Sequence, residues 1–363
     1  MEWKATVAGR SSVPCPSFRS TTSMRLLITT QTVNQDDPVL GFFHAWIEEF
    51  AKHYEQVTVI CLYEGRHSLP ANVRIYSLGK EKGASHPLRY ALRFKLLAWK
   101  LRHDYDAVFV HMNQEYVLIA GALWKLLGKR VYFWRNHYAG SFLTDLAASF
   151  CTKIFCTSRH SYTARYKKTV LMPVGVEVPA APPVITREAH SIIFLARIAP
   201  SKRLDMFLDA LALLIEGGTS FIASVYGSPG TSDEAYYESQ KSRLAALGLH
   251  DRVRFFPGIT HEKTAAVFAA HEIFVNCSRS GMFDKTLFEA ALAGALPLAV
   301  SDDWAQLTSS AFQFTDTASL AARLREVLEL PESARAELQE IAHTAAKQNT
   351  LAMLMQALSQ QIS

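Results

Sequence analysis

The chain has 363 residues, of which 49% are hydrophobic and 20% charged, and it carries a formal net charge of +5. This length is sufficient for two domains of ordinary size. No apolar stretch reaches the roughly 20 residues that a membrane-spanning helix needs, which argues against an integral membrane protein and for a soluble globular chain.

The positive charge is concentrated in the first half. Residues 24–180 contain 20 Lys and Arg against 12 Asp and Glu, whereas residues 181–363 contain 15 against 20. A basic first half predicts an anionic partner there, such as a phospholipid surface, a lipid diphosphate or a nucleic acid. Because the basic residues do not cluster in a recognised nucleic-acid motif, we expect no nucleic-acid partner.

The cysteines are odd in number and lack metal-ligand spacing. They are Cys15, Cys61, Cys151, Cys156 and Cys277. Reduced thiols and a cytoplasmic location are therefore expected.

Residues 1–23 have no hydrophobic periodicity and are rich in Ser, Thr and Arg. The simplest interpretation is a disordered tail, or a start assigned too early, with Met24 as the first residue. A transit-like segment is the alternative, although no amphipathic helix is evident there.

From residue 24 onward, strands and helices alternate as in a Rossmann-like half. The hydrophobic patterns predict strands at 26–29, 57–62, 73–78, 106–112, 130–137 and 153–158, helices at 42–53, 88–103, 115–127 and 142–150, and a further apolar segment at 169–176. The first loop, residues 31–41, lacks a GxGxxG fingerprint, so a dinucleotide cofactor is not indicated. Its only glycine is Gly41, placed where the first helix begins.

The helix at 88–103 carries five Lys and Arg together with many apolar residues. One interpretation is a crossover helix that packs on the sheet and keeps its cations in water. The other is a basic amphipathic helix that lies on an anionic membrane.

Two strands of this half deliver a histidine near their carboxyl ends, His111 and His137. Ligands of open α/β sheets bind at that edge, so both are candidates for the site, His111 in an acceptor pocket above the first loop. The plainer interpretation is a hydrogen-bonded polar residue at a strand end.

Ala180-Ala181-Pro182-Pro183 is the expected linker to a second α/β half. Beyond it the patterns predict strands at 191–197, 221–227, 253–258, 271–277 and 295–300. They predict helices at 234–247, 320–330, 332–345 and 350–362. Three more helices are expected to start at Pro200 or Ser201, after Thr260 as N-cap, and near Asp284. Repeated strand–helix units in both halves predict two parallel-sheet domains that face each other across a cleft.

The stretch from Asn276 to Gly294 reads as a strand end, a polar turn with a glycine, and a helix. Such a turn presents backbone N–H groups and the positive end of a helix to an anion. Arg197 ends one strand and Lys202 opens the next helix, so both are placed to face the same crevice. Two cations and a helix N-terminus predict a diphosphate site, the plainer interpretation being two surface cations.

The second half resembles the retaining nucleotide-sugar glycosyltransferases of family 4, of the group 1 type. The segments that carry the resemblance are FLARIAPSKRLDMFLDAL, SVYGSPG, VRFFPGITHEKTAAVFAAHEIFVNCS and LFEAALAGALPLAVS. It covers residues 191–363 well and 24–180 more loosely. It implies the GT-B fold. With the boundaries read from the sequence, we expect a tail at 1–23, an acceptor domain at 24–180, a donor domain at 181–345 and a C-terminal helix at 346–363 that packs back on the first domain.

The resemblance also assigns residues to the donor. Arg197 and Lys202 match the cations that neutralise the diphosphate, and Glu289 matches the second Glu of an E-x7-E motif, which binds the ribose hydroxyls. The backbone of Thr286 and Leu287 is expected to face the phosphates.

Three further positions match more loosely. Gly258 and Ile259 lie where family members contact the base through the main chain, and Gly41 resembles a first-loop glycine that approaches the donor. His137 resembles the first-domain histidine beside the transferred sugar.

One departure from the family pattern concerns the sugar. The first Glu of E-x7-E is replaced by Gly281. Asp284, three residues later, is a candidate for the missing carboxylate, and its alternative role is helix N-cap. The identity of the sugar depends on which role it fills.

The resemblance implies a transfer of a hexose-type sugar from a nucleoside diphosphate sugar to an acceptor hydroxyl, as in bacterial polysaccharide biosynthesis. The basic first half and the helix at 88–103 favour a glycan or lipid-linked saccharide as the acceptor, and we expect the transfer to be metal-independent. No cofactor is expected besides the nucleotide sugar as co-substrate, and Asp36-Asp37 and Asp302-Asp303 lack DxD metal spacing. Two alternatives remain open: a degenerate nucleotide-sugar-binding subunit without chemistry, and a GT-B epimerase. The expected location is the cytoplasm, with contact to the inner face of the cell membrane through the basic half.

Overall fold

The computed structural model of the protein describes residues 22–37, 39–83, 86–178, 185–281 and 284–362, with side chains from Met24 onward. Most of the predicted tail and the predicted linker Ala180–Pro183 lie outside these ranges. In the described ranges, none of the helices combines the length and the apolar character needed to cross a bilayer.

The first half forms a seven-stranded sheet whose described pairings are all parallel, in the order β3-β2-β1-β4-β5-β6-β7. Its strands are β1 (Thr22–Val33), β2 (Tyr54–Glu64), β3 (Val73–Ser77), β4 (Ala107–His111), β5 (Arg130–Trp134), β6 (Lys153–Cys156) and β7 (Thr169–Leu171). Its helices are α1 (Phe43–His53), α2 (Pro87–Lys100), α3 (Gln114–Leu126) and α4 (Phe142–Phe150). Every residue of β4 is buried, as expected for a central strand covered on both faces.

The second half forms a five-stranded parallel sheet in the order β10-β9-β8-β11-β12. Its strands are β8 (Ser191–Leu195), β9 (Ile222–Tyr226), β10 (Val253–Phe256), β11 (Ile273–Asn276) and β12 (Leu296–Ala299). Its helices are α5 (Leu204–Glu216), α6 (Glu234–Ala246), α7 (His261–Ala269), α8 (Lys285–Leu292), α9 (Asp302–Leu307), α10 (Thr317–Glu329) and α11 (Glu332–Lys347). The two sheets confirm the predicted α/β class with two Rossmann-like parallel-sheet halves.

The last helix, α12 (Leu351–Gln361), contributes its buried face to the core of the first half. Leu354 and Leu358 belong to the same cluster as Trp46 and Phe50 of α1. The chain therefore crosses between the halves twice. The crossings are joined by hydrogen bonds, since Gly175 N and Val176 N both donate to Asn349 O, at 2.9 and 3.0 Å.

Two predicted elements differ from the structure near the site. The helix expected from Pro200 begins at Leu204, because residues 200–202 form a short 3-10 turn and Arg203 has a left-handed φ of 54°. Thr260 stands at the N-cap of α7, yet its side chain makes no capping hydrogen bond. Helix α9 was not predicted, because its six residues are too few for a periodic pattern.

The strand orders explain where a site can form. In the second sheet the chain reverses direction of travel between β8 and β11, so the loops that follow these two strands diverge and leave a crevice. Open α/β sheets bind ligands at such switch points, beyond the carboxyl ends of the strands. These two loops contain Arg197 and Lys202 on one side and Ser278 and Asp284 on the other.

Candidate functional site

Lys202 lies at the centre of the crevice, where the loops after β8 and β11 meet. Its Nζ donates to both carboxylate oxygens of Asp284, at 2.7 and 2.9 Å, and to Ser278 Oγ at 3.1 Å. Asn276 Nδ2 donates to Asp284 as well, at 2.9 Å. The structure thus brings together two residues that the sequence placed in the site, Lys202 and Asp284.

Asp284 stands at the N-cap position of α8, but its side chain makes no capping bond. It points instead to Lys202, and both side chains are largely buried, at 19% and 17% exposure. Burial opposes the charge of this carboxyl, but the ammonium beside it outweighs that cost and holds the pKa of Asp284 below its usual value. The N-cap interpretation therefore accounts for the position of Asp284 and not for its side chain.

Arg197 lies two residues beyond the end of β8 and is exposed. Across the described ranges its guanidinium has no hydrogen bond or ion pair with another side chain. It is therefore an available cation at the rim of the crevice, where a planar guanidinium suits a phosphate or carboxylate ligand.

Helix α8 begins at the crevice and places Thr286 and Leu287 in its first turn, Thr286 half-buried and Leu287 buried. Lys285 leaves this turn toward the first half. Its Nζ donates to Gly175 O at 2.7 Å and lies 3.8 Å from the ring centroid of Phe42, a cation–π contact. Burial lowers the pKa of Lys285. Lys285 was not predicted, because a lysine in a first helical turn carries no distinctive signal.

Glu289 lies one turn further along α8, with 12% of its side chain exposed, and burial raises the pKa of its carboxyl. His261, the first residue of α7, stands between two carboxylates: its Nε2 lies 3.3 Å from Glu177 Oε1 and its Nδ1 lies 3.8 Å from Glu289 Oε1. The hydrogen bond with Glu177 raises the pKa of His261. His261 was not predicted from the sequence, because its only signal is its position after the loop assigned to the base.

Gly258 and Ile259 form that loop, between β10 and α7. Gly258 is exposed, and its backbone N donates to Ser228 Oγ at 3.0 Å; Ile259 is half-buried. The loop therefore borders the crevice edge close to His261, with its peptide groups at the surface.

His137 lies three residues beyond β5, in a half-buried position on the first-half side. Its Nδ1 accepts a hydrogen bond from Ala139 N at 3.0 Å, and its ring stacks on Tyr138 at 4.7 Å between centroids. The same Nδ1 also lies 3.2 Å from Ala139 O, so both of these local contacts use Nδ1 and leave Nε2 for a ligand. The position remains compatible with the predicted role.

The structure corrects the placement of His111 in an accessible acceptor pocket. This side chain is only 2% exposed, stacks on Phe43 at 3.8 Å and shares a hydrogen bond with Thr30 Oγ1 at 3.2 Å. Burial lowers the pKa of His111 to about 3. His111 is therefore a neutral histidine of the core, in agreement with the alternative interpretation of a hydrogen-bonded polar residue at a strand end.

The structure explains why position 41 is a glycine without reference to a donor. A Cβ at this position would lie 2.6 Å from Asp37 O and 2.9 Å from Gln35 O. The close approach that requires glycine is therefore made by the loop itself. The predicted approach to a donor remains a prediction.

Among the described residues, no group of three or more His, Cys, Asp or Glu side chains is arranged to hold a metal ion. Cys61, Cys151, Cys156 and Cys277 are free and buried.

Residues 189–329 match the family model described as glycosyl transferases group 1. Part of the chain is 33% identical over 131 residues to D-inositol 3-phosphate glycosyltransferase from Streptomyces griseus, which is 32% of this chain and 28% of that protein. A second protein of the same name, from Streptomyces coelicolor, is 32% identical over 161 residues, 41% of this chain and 35% of the relative. The chain thus matches about a third of the length of these curated relatives.

Among solved structures, Anabaena Alr3699/HepE in complex with UDP and glucose superposes with a TM-score of 0.75 at 17% identity, over 93% of this chain and 99% of that one. At this identity the likeness concerns the fold. Together with the two parallel sheets and their switch-point crevice, the comparisons show that residues 189–329 are similar to the group 1 glycosyltransferases and that the chain has the GT-B fold.

Proposed function

We propose that the protein is a retaining glycosyltransferase, which moves a hexose-type sugar from a nucleoside diphosphate sugar to a hydroxyl of a glycan or lipid-linked acceptor. The observation that carries the proposal is the cluster at the switch point of the second sheet. There Lys202, Ser278 and the start of α8 converge, with Arg197 unpaired at the rim of the described crevice. Ammonium, guanidinium, hydroxyl and helix N-terminus are the groups that bind a diphosphate.

The donor would lie along α8. Arg197 and Lys202 would bind the diphosphate, with the backbone of Thr286 and Leu287 facing it. Glu289 would accept from the ribose hydroxyls, Gly258 and Ile259 would border the base, and Gly41 would approach from the first half. The solved relative from Anabaena is described with UDP and glucose, which makes UDP the first probe.

In the reaction, the bond between the anomeric carbon and the diphosphate oxygen breaks while a bond to the acceptor oxygen forms on the same face. The acceptor proton passes to the leaving phosphate. Arg197 and Lys202 would stabilise the charge that develops on the diphosphate, a preorganised electrostatic effect that often dominates catalysis. Because cations already perform this task, we propose that no divalent metal is needed.

His137 and Asp284 would act on the sugar. His137 would contact the sugar or position the acceptor, and Asp284 would supply a carboxylate near the hexose once the diphosphate replaces it at Lys202. The Lys202–Asp284 pair supports this second role, since the carboxylate stands next to the diphosphate position.

The acceptor would bind on the basic first half, above the first loop. Helix α2 supports a membrane-linked acceptor: Leu88, Leu92, Leu96 and Trp99 are 66%, 63%, 68% and 49% exposed. They form one stripe at helical spacing, flanked by basic residues of the same helix. We propose contact with the anionic inner face of the cell membrane, and a cytoplasmic location.

The test is a panel of UDP-, GDP- and ADP-sugars, measured first by thermal shift and then by donor hydrolysis and transfer. Binding raises the melting temperature by mass action, so it reports the donor even without chemistry. Transfer with retention of anomeric configuration, unaffected by chelator, supports the proposal. Loss of turnover with chelator, restored by manganese, contradicts the metal-independent mechanism.

The alternatives give different results in the same panel. A degenerate subunit binds a nucleotide without hydrolysis or transfer, and Gly281 in place of an acid is the observation in its favour. An epimerase forms product from the nucleotide sugar without an added acceptor.

A further inference from the structure

The segment from Ser158 to Ser161, in the first half, is bonded to the second half at Gly281 and Asp303. Ser158 Oγ donates to Asp303 Oδ2 at 2.6 Å, and Ser161 Oγ donates to Gly281 O at 3.1 Å. Gly281 N donates to the same oxygen of Asp303 at 3.2 Å. These four residues are buried, and we call them the interdomain latch.

Gly281 is the residue that permits this approach. Its φ is +91°, a region that side chains rarely adopt, and a Cβ there would lie 2.7 Å from His160 O and 2.9 Å from Tyr138 Cβ. Both of these atoms belong to the first half. Any side chain at position 281 therefore forces the two halves apart, and the acid expected from the family pattern has no room.

Asp303 carries a carboxylate that is only 6% exposed, and no Lys, Arg or His in the described ranges forms an ion pair with it. A buried charge is costly unless donors compensate it. Ser158 supplies a hydrogen bond from the opposite half, so separation of the halves would leave this carboxylate with one donor fewer. Charge-assisted bonds are about twice as strong as neutral ones, which favours the joined arrangement.

The latch is connected to His137 through the neighbouring residue, Tyr162. Its backbone N donates to His137 O at 2.8 Å. Its ring fills the space beside Gly140, where a Cβ would lie 2.1 Å from a ring carbon. The loop that carries His137 is thus packed on a segment that the latch fixes to the second half.

We propose that Asp303 is a positioning residue, which holds the two halves together through the interdomain latch and thereby keeps His137 facing the donor crevice. Gly281 makes this contact sterically possible because it has no side chain. The role of His137 rests on the proposed function; the joining of the two halves does not.

Small-angle X-ray scattering measures whether the two halves are held together, and it does not depend on enzymatic activity. Asp303→Ala and Gly281→Ala are expected to raise the radius of gyration above that of the wild type. Asp303→Asn should give a smaller increase, since an amide oxygen still accepts from Ser158. Asp209→Asn is the matched control, because it removes a carboxylate from the exposed pair with Arg243 and should change nothing.

Steady-state transfer, with the donor found in the panel, measures the positioning. Asp303→Ala should lower kcat by roughly tenfold or more, the scale of one charge-assisted hydrogen bond, with a smaller change in the KM for the donor. Asp303→Asn should recover part of this loss. Loss of stability alone would leave the kcat of the folded fraction unchanged, so the rates are divided by the concentration of folded protein.

Circular dichroism establishes that each variant is folded. If Gly281→Ala does not fold, Ser158→Ala replaces it, since that change removes a single hydroxyl. An unchanged radius of gyration in the folded variants overturns the proposal, whatever their activity. If the wild type transfers no sugar at all, the proposed function fails while the scattering still decides the latch.

Discussion

Asp284 accepts two hydrogen bonds from the ammonium of Lys202, so the cation assigned to the donor diphosphate already has an anionic partner. A diphosphate that binds Lys202 must displace this carboxylate or share the ammonium with it. Asn276 and Ser278 complete the polar surroundings of the pair. In the proposed function, the pair therefore sets both the affinity for the nucleotide and the place of a carboxylate near the sugar.

Asp284→Asn should tighten the binding of UDP and slow transfer. Removal of the competing charge is expected to lower the dissociation constant for UDP by about tenfold, which corresponds to about 1.4 kcal/mol of binding free energy. Transfer should fall because the sugar loses its nearby carboxylate. Calorimetric titration with UDP checks the first effect, with Asp209→Asn as control. UDP binding that weakens in Asp284→Asn would contradict the competition.

His111 should make the protein less stable as the pH falls. Its folded pKa of about 3 lies below the ordinary value of about 6.5, so between these values the unfolded chain takes up a proton that the native protein does not. At pH 5 this costs about 2 kcal/mol of unfolding free energy relative to pH 7.

Urea unfolding at pH 7 and pH 5 measures this cost. In His111→Phe, which keeps an aromatic ring against Phe43, the loss between the two pH values should be smaller by about 2 kcal/mol. The exposed His250 provides the control variant, His250→Asn, which should lose as much as the wild type. Equal losses in all three proteins would show that His111 is protonated in the native state.

Helix α2 should mediate binding to anionic vesicles. Leu92→Gln with Leu96→Gln removes the centre of the exposed stripe, and we expect binding to phosphatidylglycerol vesicles to fall by about tenfold or more, since a buried leucine contributes about 1.5–3 kcal/mol. Co-sedimentation measures it. Leu307→Gln, an exposed leucine in the second half, is the matched control. Equal binding of the wild type to neutral and anionic vesicles would refute an electrostatic contribution to membrane binding.

His137→Ala should lower the rate of transfer by about a hundredfold, because it removes a group placed to contact the sugar or the acceptor. UDP binding should stay unchanged, since the side chains and peptide groups assigned to the diphosphate, the ribose and the base lie in the second half. Initial rates with the donor found in the panel provide the measurement, and His250→Ala is the control. Turnover near the wild-type value would exclude the role.

The sequence predicted the elements of the site well where local signals are strong. The turn and helix after Asn276 begin close to the expected residue, since a polar glycine-bearing turn and a helical period are local. The pairing of Lys202 with Asp284 was not foreseen, because it joins residues 82 apart in the chain. The prediction for His111 was wrong for a related reason. The strand pattern gives the position of His111 along β4, but the burial of its side chain depends on Phe43, which belongs to α1.

The departure at Gly281 shows the same limit. From the sequence it is a missing acid. In the structure it is also a contact with Tyr138 and His160, which no pattern within residues 276–294 could reveal.

Helix α12 has a consequence for how the protein is made. Residues 351–361 complete the hydrophobic cluster around Trp46 and Phe50, although some 300 residues separate them along the chain. During synthesis the first sheet therefore emerges from the ribosome with part of one face uncovered, and that face stays uncovered until residues 351–361 have emerged as well. Completion of the first half therefore requires synthesis of the whole second half.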